Sequence, residues 1–188
     1  MLFNQDKIIL DLCGGTGAWS YPYANAGYDV RVIDIGIVDG NDTRLFKFTK
    51  GIYGILAAPP CTHFSSSGAR WWSDKGREKL LEGLSVVDAC LRIVLTSSPW
   101  LKFWCLENPV GRLNDYIGKP VMYFNPCDYG DPYTKKTALW GKFNIPEKNP
   151  VEPTEGSKMH LIPPTDNRAR LRSTTPSGFA RAFFEANQ

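Results

Sequence analysis

At 188 residues, 43% hydrophobic and 22% charged, the chain has the make-up of one soluble globular domain burying roughly two-thirds of its unfolded surface. No apolar stretch approaches the ~20 residues of a membrane span and the amino terminus has no signal-peptide pattern, so a cytoplasmic protein with no membrane partner is expected. The net charge of +3 neither demands nor excludes nucleic acid, and five cysteines without a CxxC pair suit reduced thiols, with no metal site expected.

In chain order, Ile8 to Cys13 reads as a buried strand. The turn Gly14-Gly15-Thr16-Gly17 follows, then a helix from about Trp19 to Ala26 that stops at Gly27. Asp29 to Asp34 alternates as a second strand, Gly36 to Thr43 is turn-rich, and Leu45 to Phe48 reads as a short third strand. Tyr53 to Ala58 is an apolar fourth strand. The spacing of Leu80, Leu84, Val87, Leu91 and Val94 predicts one helix over Lys75 to Thr96. Phe103 to Leu106 is a fifth strand, and a closing helix is expected from Ser177 to Asn187. Pro146, Pro150, Pro153, Pro163 and Pro164 make Phe143 to Asp166 irregular. Strand alternating with helix implies an α/β fold with a parallel, doubly wound sheet, in a single domain over residues 1–188.

Three segments carry chemistry. The first is Asp11-Leu12-Cys13 with its glycine turn, where the backbone can bend sharply and a ligand can approach without a Cβ in the way. Asp34, ending the next strand, can accept hydrogen bonds from ribose hydroxyls. The spacing is neither the six-residue dinucleotide fingerprint nor a GxxxxGK[ST] phosphate loop. A nucleoside-bearing cofactor without a pyrophosphate fits, which points to S-adenosylmethionine; a strand–helix turn with no ligand is the other reading.

The second segment is Pro59-Pro60-Cys61, just beyond a strand end, where ligands bind in open α/β sheets. Two fixed φ angles stiffen the backbone that holds the sulfur, and a thiolate so presented is a candidate nucleophile. An inert strand-end thiol is the alternative. His63, two residues on, reads as a loop residue rather than a base. The third is Glu107-Asn108-Pro109. Parallel strands end on one edge, so Glu107 can lie near Cys61 and protonate or hydrogen-bond a ring nitrogen, or it is a surface or capping acid.

The stretch Ser65 to Arg77 interleaves Trp71-Trp72 with Arg70 and Lys75, which suits stacking on an unpaired base beside phosphate. Alternatively, a tryptophan anchors the loop in the core. Basic clusters at Arg70 to Lys79, Lys135-Lys136 and Arg168 to Arg172 either line one phosphate-binding face or are solvated surface.

In this order, the pieces resemble the DNA (cytosine-5)-methyltransferase family. Ile9 to Ser20 looks like its first motif, and Pro59-Pro-Cys-Thr-His-Phe-Ser65 is similar to its Pro-Pro-Cys-Gln-x-Phe-Ser nucleophile loop. Glu107-Asn108 matches its Glu-Asn-Val, with Pro109 for valine. Asp128 to Thr137 resembles a divergent Tyr-Gly-x-Pro-Gln-x-Arg-x-Arg segment, and Thr175 to Glu185 the closing motif that completes the cofactor site. The chain as a whole resembles short phage-encoded members, and a bacterial or phage-infected cell is the implied setting.

The resemblance implies a Rossmann-like class I S-adenosylmethionine-dependent methyltransferase fold acting on carbon five of cytosine in DNA. Cys61 would attack ring carbon six, Glu107 would hold the ring nitrogen and amine, and Lys135 would take the place of a motif arginine. Asp11, Cys13, Gly14, Gly15, Thr16, Gly17, Trp19, Asp34, Ile35, Asp42 and Pro59 would form the cofactor site. Ser65, Arg70, Trp71, Trp72, Asn108 and Tyr133 would meet the target base.

Departures from the family pattern shape this expectation. Cys13 stands where the family has phenylalanine, and Tyr133 and Thr137 replace the glutamine and second arginine. Residues 142–173 form a short irregular insert where the family carries a far larger target-recognition domain. Weak specificity, a homodimer or partner protein supplying it, or a free cytosine nucleotide or RNA as substrate are the implied alternatives. A catalytically inert relative that binds DNA or protein is another. An amino-group methyltransferase is disfavoured, because Ala58-Pro-Pro-Cys61 lacks the polar group and aromatic of Asp/Asn-Pro-Pro-Tyr/Phe.

Overall fold

The computed structural model describes residues 4–37, 41–157, 159, 161–165 and 168–188. Six strands form one mixed sheet: β1 (Ile8–Leu12), β2 (Asp29–Ile33), β3 (Ile52–Ala57), β4 (Phe103–Pro109), β5 (Met122–Phe124) and β6 (Thr137–Lys142). Their spatial order is β2-β1-β3-β4-β6-β5. β2, β1, β3 and β4 run parallel, with Leu12 level with Ile33 and Ala57, and Ala57 level with Leu106. Cys13, Asp34, Cys61 and Asn108 therefore follow or finish strands on one edge.

Side chains alternate across the sheet. Leu10, Leu12, Ile55, Ala57 and Leu106 join Val87, Cys90 and Ile93 of α2 (Trp72–Ser97) in one core. Ile9, Leu56, Phe103 and Cys105 join an aromatic core on the other face with α1 (Tyr21–Asn25) and α5 (Ser177–Ala186). There, Phe124 and Phe179 stack at 4.0 Å, while Trp19 meets Phe183 edge-on at 5.5 Å. The remaining helices are short: α3 (Asn114–Ile117) and α4 (Arg168–Ser173).

Three expectations are corrected. The sheet is not wholly parallel: β6 runs antiparallel to β4, with Glu107 level with Leu139, and β5 antiparallel to β6. Leu45 to Phe48 makes no strand, because Thr43–Leu45 is a 3₁₀ turn capped by the Asp42 side chain. The Arg92 guanidinium donates to the carbonyls of Arg44 (3.1 Å) and Phe46 (3.3 Å), taking acceptors a sheet ladder would use. The long helix starts at Trp72 rather than Lys75 and breaks at Gly76, where φ is +68°. β5 and β6 themselves were not anticipated. The fifth strand runs three residues beyond the expected Leu106, so that Glu107 and Asn108 lie within β4; the other expected elements form within a residue or two, and the described part of Phe143 to Asp166 is without α-helix or strand.

Candidate active site

The glycine turn is shaped by a buried acid. Asp11 is fully buried in β1 and accepts from Ser20 Oγ at 2.5 Å, while its Oδ1 has no partner. Burial pushes its pKa up to about 6, against the lowering effect of Ser20. A Cβ at Gly14 would overlap the Asp11 carboxyl group, so the turn can lie on β1 only with glycine there. Cys13 before it adopts a left-handed φ of 56°, its amide donating to Ile33 O and its Sγ lying 3.5 Å from Thr43 Oγ1.

Beyond β2, Asp34 accepts one backbone N–H on each carboxylate oxygen, from Gly15 at 2.9 Å and Gly36 at 2.7 Å. Each oxygen keeps lone-pair capacity for hydroxyl donors. The neighbouring Ile35 is 72% exposed, an apolar surface beside a polar turn. Thr16 is exposed and Gly17 half-buried. Two expected cofactor residues are otherwise engaged. Trp19 is buried between Phe179 and Phe183. The Asp42 carboxylate takes a bidentate pair from Arg44, at 3.0 and 2.6 Å.

Pro59 is buried two residues beyond β3, and its carbonyl accepts from Asn108 Nδ2 at 2.9 Å. This bond ties the cysteine loop to β4, and Asn108 Oδ1 remains unpartnered. Cys61 is half-buried. Burial raises its thiol pKa and the Glu107 carboxylate raises it further, while Lys135 and Arg172 pull it down. Glu107 is itself raised by burial, with Lys135 opposing. Thiol, acid and lysine thus stand within electrostatic reach of one another.

The loop after Cys61 is clamped to the segment following β4. Ser66 N donates to Val110 O at 2.9 Å, Arg112 N to Phe64 O at 2.9 Å, and Arg112 Nε to His63 O at 2.8 Å. Lys75 Nζ holds Thr62 O at 2.8 Å. Phe64 is fully buried, and a Cβ at Gly111 would overlap its carbonyl. The two tryptophans divide their roles. Trp72 is half-buried with the Arg112 guanidinium 4.4 Å over its ring, whereas Trp71 is 48% exposed beside Arg70. Ser65 bonds Ser67 at 2.9 Å. Burial lowers the His63 pKa, and the positive charges of Lys75, Lys79 and Arg112 lower it further, while the Glu82 carboxylate opposes them.

Tyr133 is buried, its hydroxyl pushed up to about 12 by burial and Asp131. Thr137 is buried at the start of β6 and donates to Lys135 O at 2.8 Å. Asp131 caps α5 by accepting Gly178 N at 2.9 Å, beside a cavity of about 130 Å³ that includes Arg181. Sequence reasoning missed Arg172 and Arg112 as members of this edge. The arginine run at 168–172 was the available signal for the first; nothing local marked the second.

No family model matches the chain. Over 174 aligned residues it is 26% identical to the Type II methyltransferase M.DdeI of Desulfomicrobium norvegicum, in a match covering 70% of this chain. The chain spans 39% of that relative's length.

Proposed function

We propose that this chain transfers a methyl group from S-adenosylmethionine to carbon five of cytosine in DNA, through a covalent adduct at Cys61. The observation that carries the reading is that Cys61, Glu107 and Lys135 lie within electrostatic reach of one another, on the sheet edge where the glycine turn and Asp34 also follow their strands. Similarity to a type II methyltransferase supports methyl transfer. On this reading residues 1–188 act as one doubly wound class I catalytic domain, in the cytoplasm of a bacterial or phage-infected cell.

The residues present fit the cofactor. Asp34 would take the ribose hydroxyls, Ile35 would cover the adenine, and Gly14, Gly15, Thr16 and Gly17 would admit the methionine part. The unpartnered Asp11 Oδ1 offers one more polar contact beneath the turn. When bound, S-adenosylmethionine supplies the electrophilic methyl group.

The chain's own work is to make carbon five nucleophilic. Sulfur of Cys61 adds to carbon six, while Glu107 donates a proton to ring nitrogen three. The upward shift of the Glu107 pKa by burial is in the direction this role needs, because it favours the protonated form that can give a proton to the base. Once Glu107 is neutral in its protonated form, the charge opposing Cys61 ionisation is gone, and Lys135 and Arg172 then favour the thiolate. After methylation, solvent water takes the carbon-five proton, the carbon–sulfur bond breaks to release the Cys61 thiolate, and the Glu107 carboxylate takes back the nitrogen-three proton, which restores the ring and both side chains. Asn108 holds the loop through Pro59, and Trp71, Arg70, Ser65 and Tyr133 are the proposed contacts of the displaced base.

The decisive experiment incubates the protein and S-adenosylmethionine with DNA containing 5-fluorocytosine, since fluorine blocks the final elimination. A denaturation-stable protein–DNA complex is expected, absent in Cys61→Ala. If active protein forms none, the covalent route is wrong. The brevity of residues 142–173, whose helix is α4 alone among the described residues, favours one second reading: the same chemistry on a free cytosine nucleotide or RNA. Tritium transfer to dCMP or RNA but not to duplex DNA would establish it.

A further inference from the structure

Positive charge gathers on α4. Arg168–Ser173 carries Arg168, Arg170 and Arg172 and no acid. Among the described residues, Arg170, Arg172 and Lys135 take part in no ion pair. The side chains of Arg170 and Arg172 are exposed, as is Lys136 beside them in sequence to Lys135. Like charges held together without counter-charge repel one another, and an anion relieves that repulsion.

The helix is fastened to the candidate site. Lys135 Nζ donates to Arg172 O at 2.9 Å, which secures the carboxyl end of α4 to the residue two places before β6. Thr174 closes the same end through Arg170 O, by its amide at 3.1 Å and its hydroxyl at 2.9 Å. β6 begins at Thr137, level with Pro109, two residues past Glu107. The carboxyl end of α4 is therefore anchored towards the edge that carries Cys61, and the charge of Arg172 reaches the sulfur.

We infer that α4 is a phosphate clamp: Arg172 holds the phosphate flanking the cytosine presented to Cys61, and Arg170 the next along the strand. The inference rests on the reading above and supplies what residues 142–173 contribute to substrate binding. It makes the substrate a phosphorylated one. The phosphate is either a diester of a nucleic-acid strand or the monoester of a free nucleotide, and guanidinium groups recognise both.

The test measures binding without chemistry. A labelled cytosine-containing duplex is titrated with protein in 50 to 200 mM NaCl, with no cofactor, for wild type, Arg172→Gln, Arg172→Lys and the α5 surface control Arg181→Gln. Loss of one phosphate contact lowers the slope of log affinity against log salt by about 0.9, so the affinity lost across that range shrinks roughly three- to fourfold. That change is expected in Arg172→Gln, with recovery in Arg172→Lys and none in Arg181→Gln. In parallel, dCMP and deoxycytidine are compared by calorimetry. A preference for dCMP that Arg172→Gln abolishes, with no effect on the duplex, supports the clamp and assigns the phosphate to a free nucleotide. Wild-type slope together with wild-type dCMP preference in a folded Arg172→Gln overturns the clamp, even if methyl transfer to DNA succeeds. A reduced slope with no tritium transfer upholds the clamp and rejects the catalytic reading instead.

Discussion

At Asp11 burial in β1 makes the charged form of a carboxyl group costly. It is fully buried, one oxygen is unpartnered, and its pKa is raised to about 6. Because the folded value exceeds the unfolded one, the native state binds more protons between the two, and stability falls as pH rises from about 4 to about 6. The span of about two units corresponds to roughly 3 kcal/mol. Asp11→Asn should flatten that fall by up to this amount in urea unfolding at pH 4 to 7; an unchanged slope would show the carboxyl to be ionised and solvated. Cys61 gives a second residue-scale test. Glu107→Gln should lower its thiol pKa and Lys135→Gln should raise it, read from the pH profile of iodoacetamide labelling. Equal profiles in all three proteins would mean that the groups do not share one site. The identity of both residues was legible in sequence, since each follows or lies in an apolar strand run. Their shifted acidity was not, because it comes first from burial in the folded chain and, for Cys61, then from Glu107 and Lys135, 46 and 74 positions away.

Between elements, the cysteine loop and the turn after β4 form one unit. Gly111 lies against the carbonyl of Phe64, and Arg112 binds His63 O while covering Trp72. Gly111→Ala places a methyl group into backbone that cannot swing aside, so a loss of about 1–3 kcal/mol is expected in equilibrium unfolding. Trapping on 5-fluorocytosine DNA should slow with it, as the loop holding Cys61 shifts. A variant as stable as wild type would mean that the loop does not rest on this turn. The pattern of Ser65 to Arg77 announced a stacking segment, but it could not divide the tryptophans. That division depends on Arg112, some forty residues downstream, whose guanidinium selects Trp72 and leaves Trp71 free.

At the scale of the whole molecule, the two faces of the sheet are packed differently, aliphatic under α2 and aromatic under α1 and α5. Phe183 is fully buried where Trp19, Phe103 and Phe179 converge. Phe183→Ala should cost about 3–5 kcal/mol in equilibrium unfolding; a loss under 1 kcal/mol would mean that α5 only borders the sheet. No helix of the described residues is long and apolar enough to cross a membrane. The sequence by itself determined the parallel strands β1 to β4, the long helix, the closing helix and the residues at the strand ends. Those features rest on local periodicity and on turn chemistry, which a short window of chain contains. Tertiary structure alone decided the antiparallel β5 and β6, the 3₁₀ turn in place of a strand at Leu45, and the anchoring of α4 at Lys135. Each of these is fixed by partners distant in sequence: β4 for β6, Arg92 for the carbonyls of Arg44 and Phe46, and Lys135 for α4.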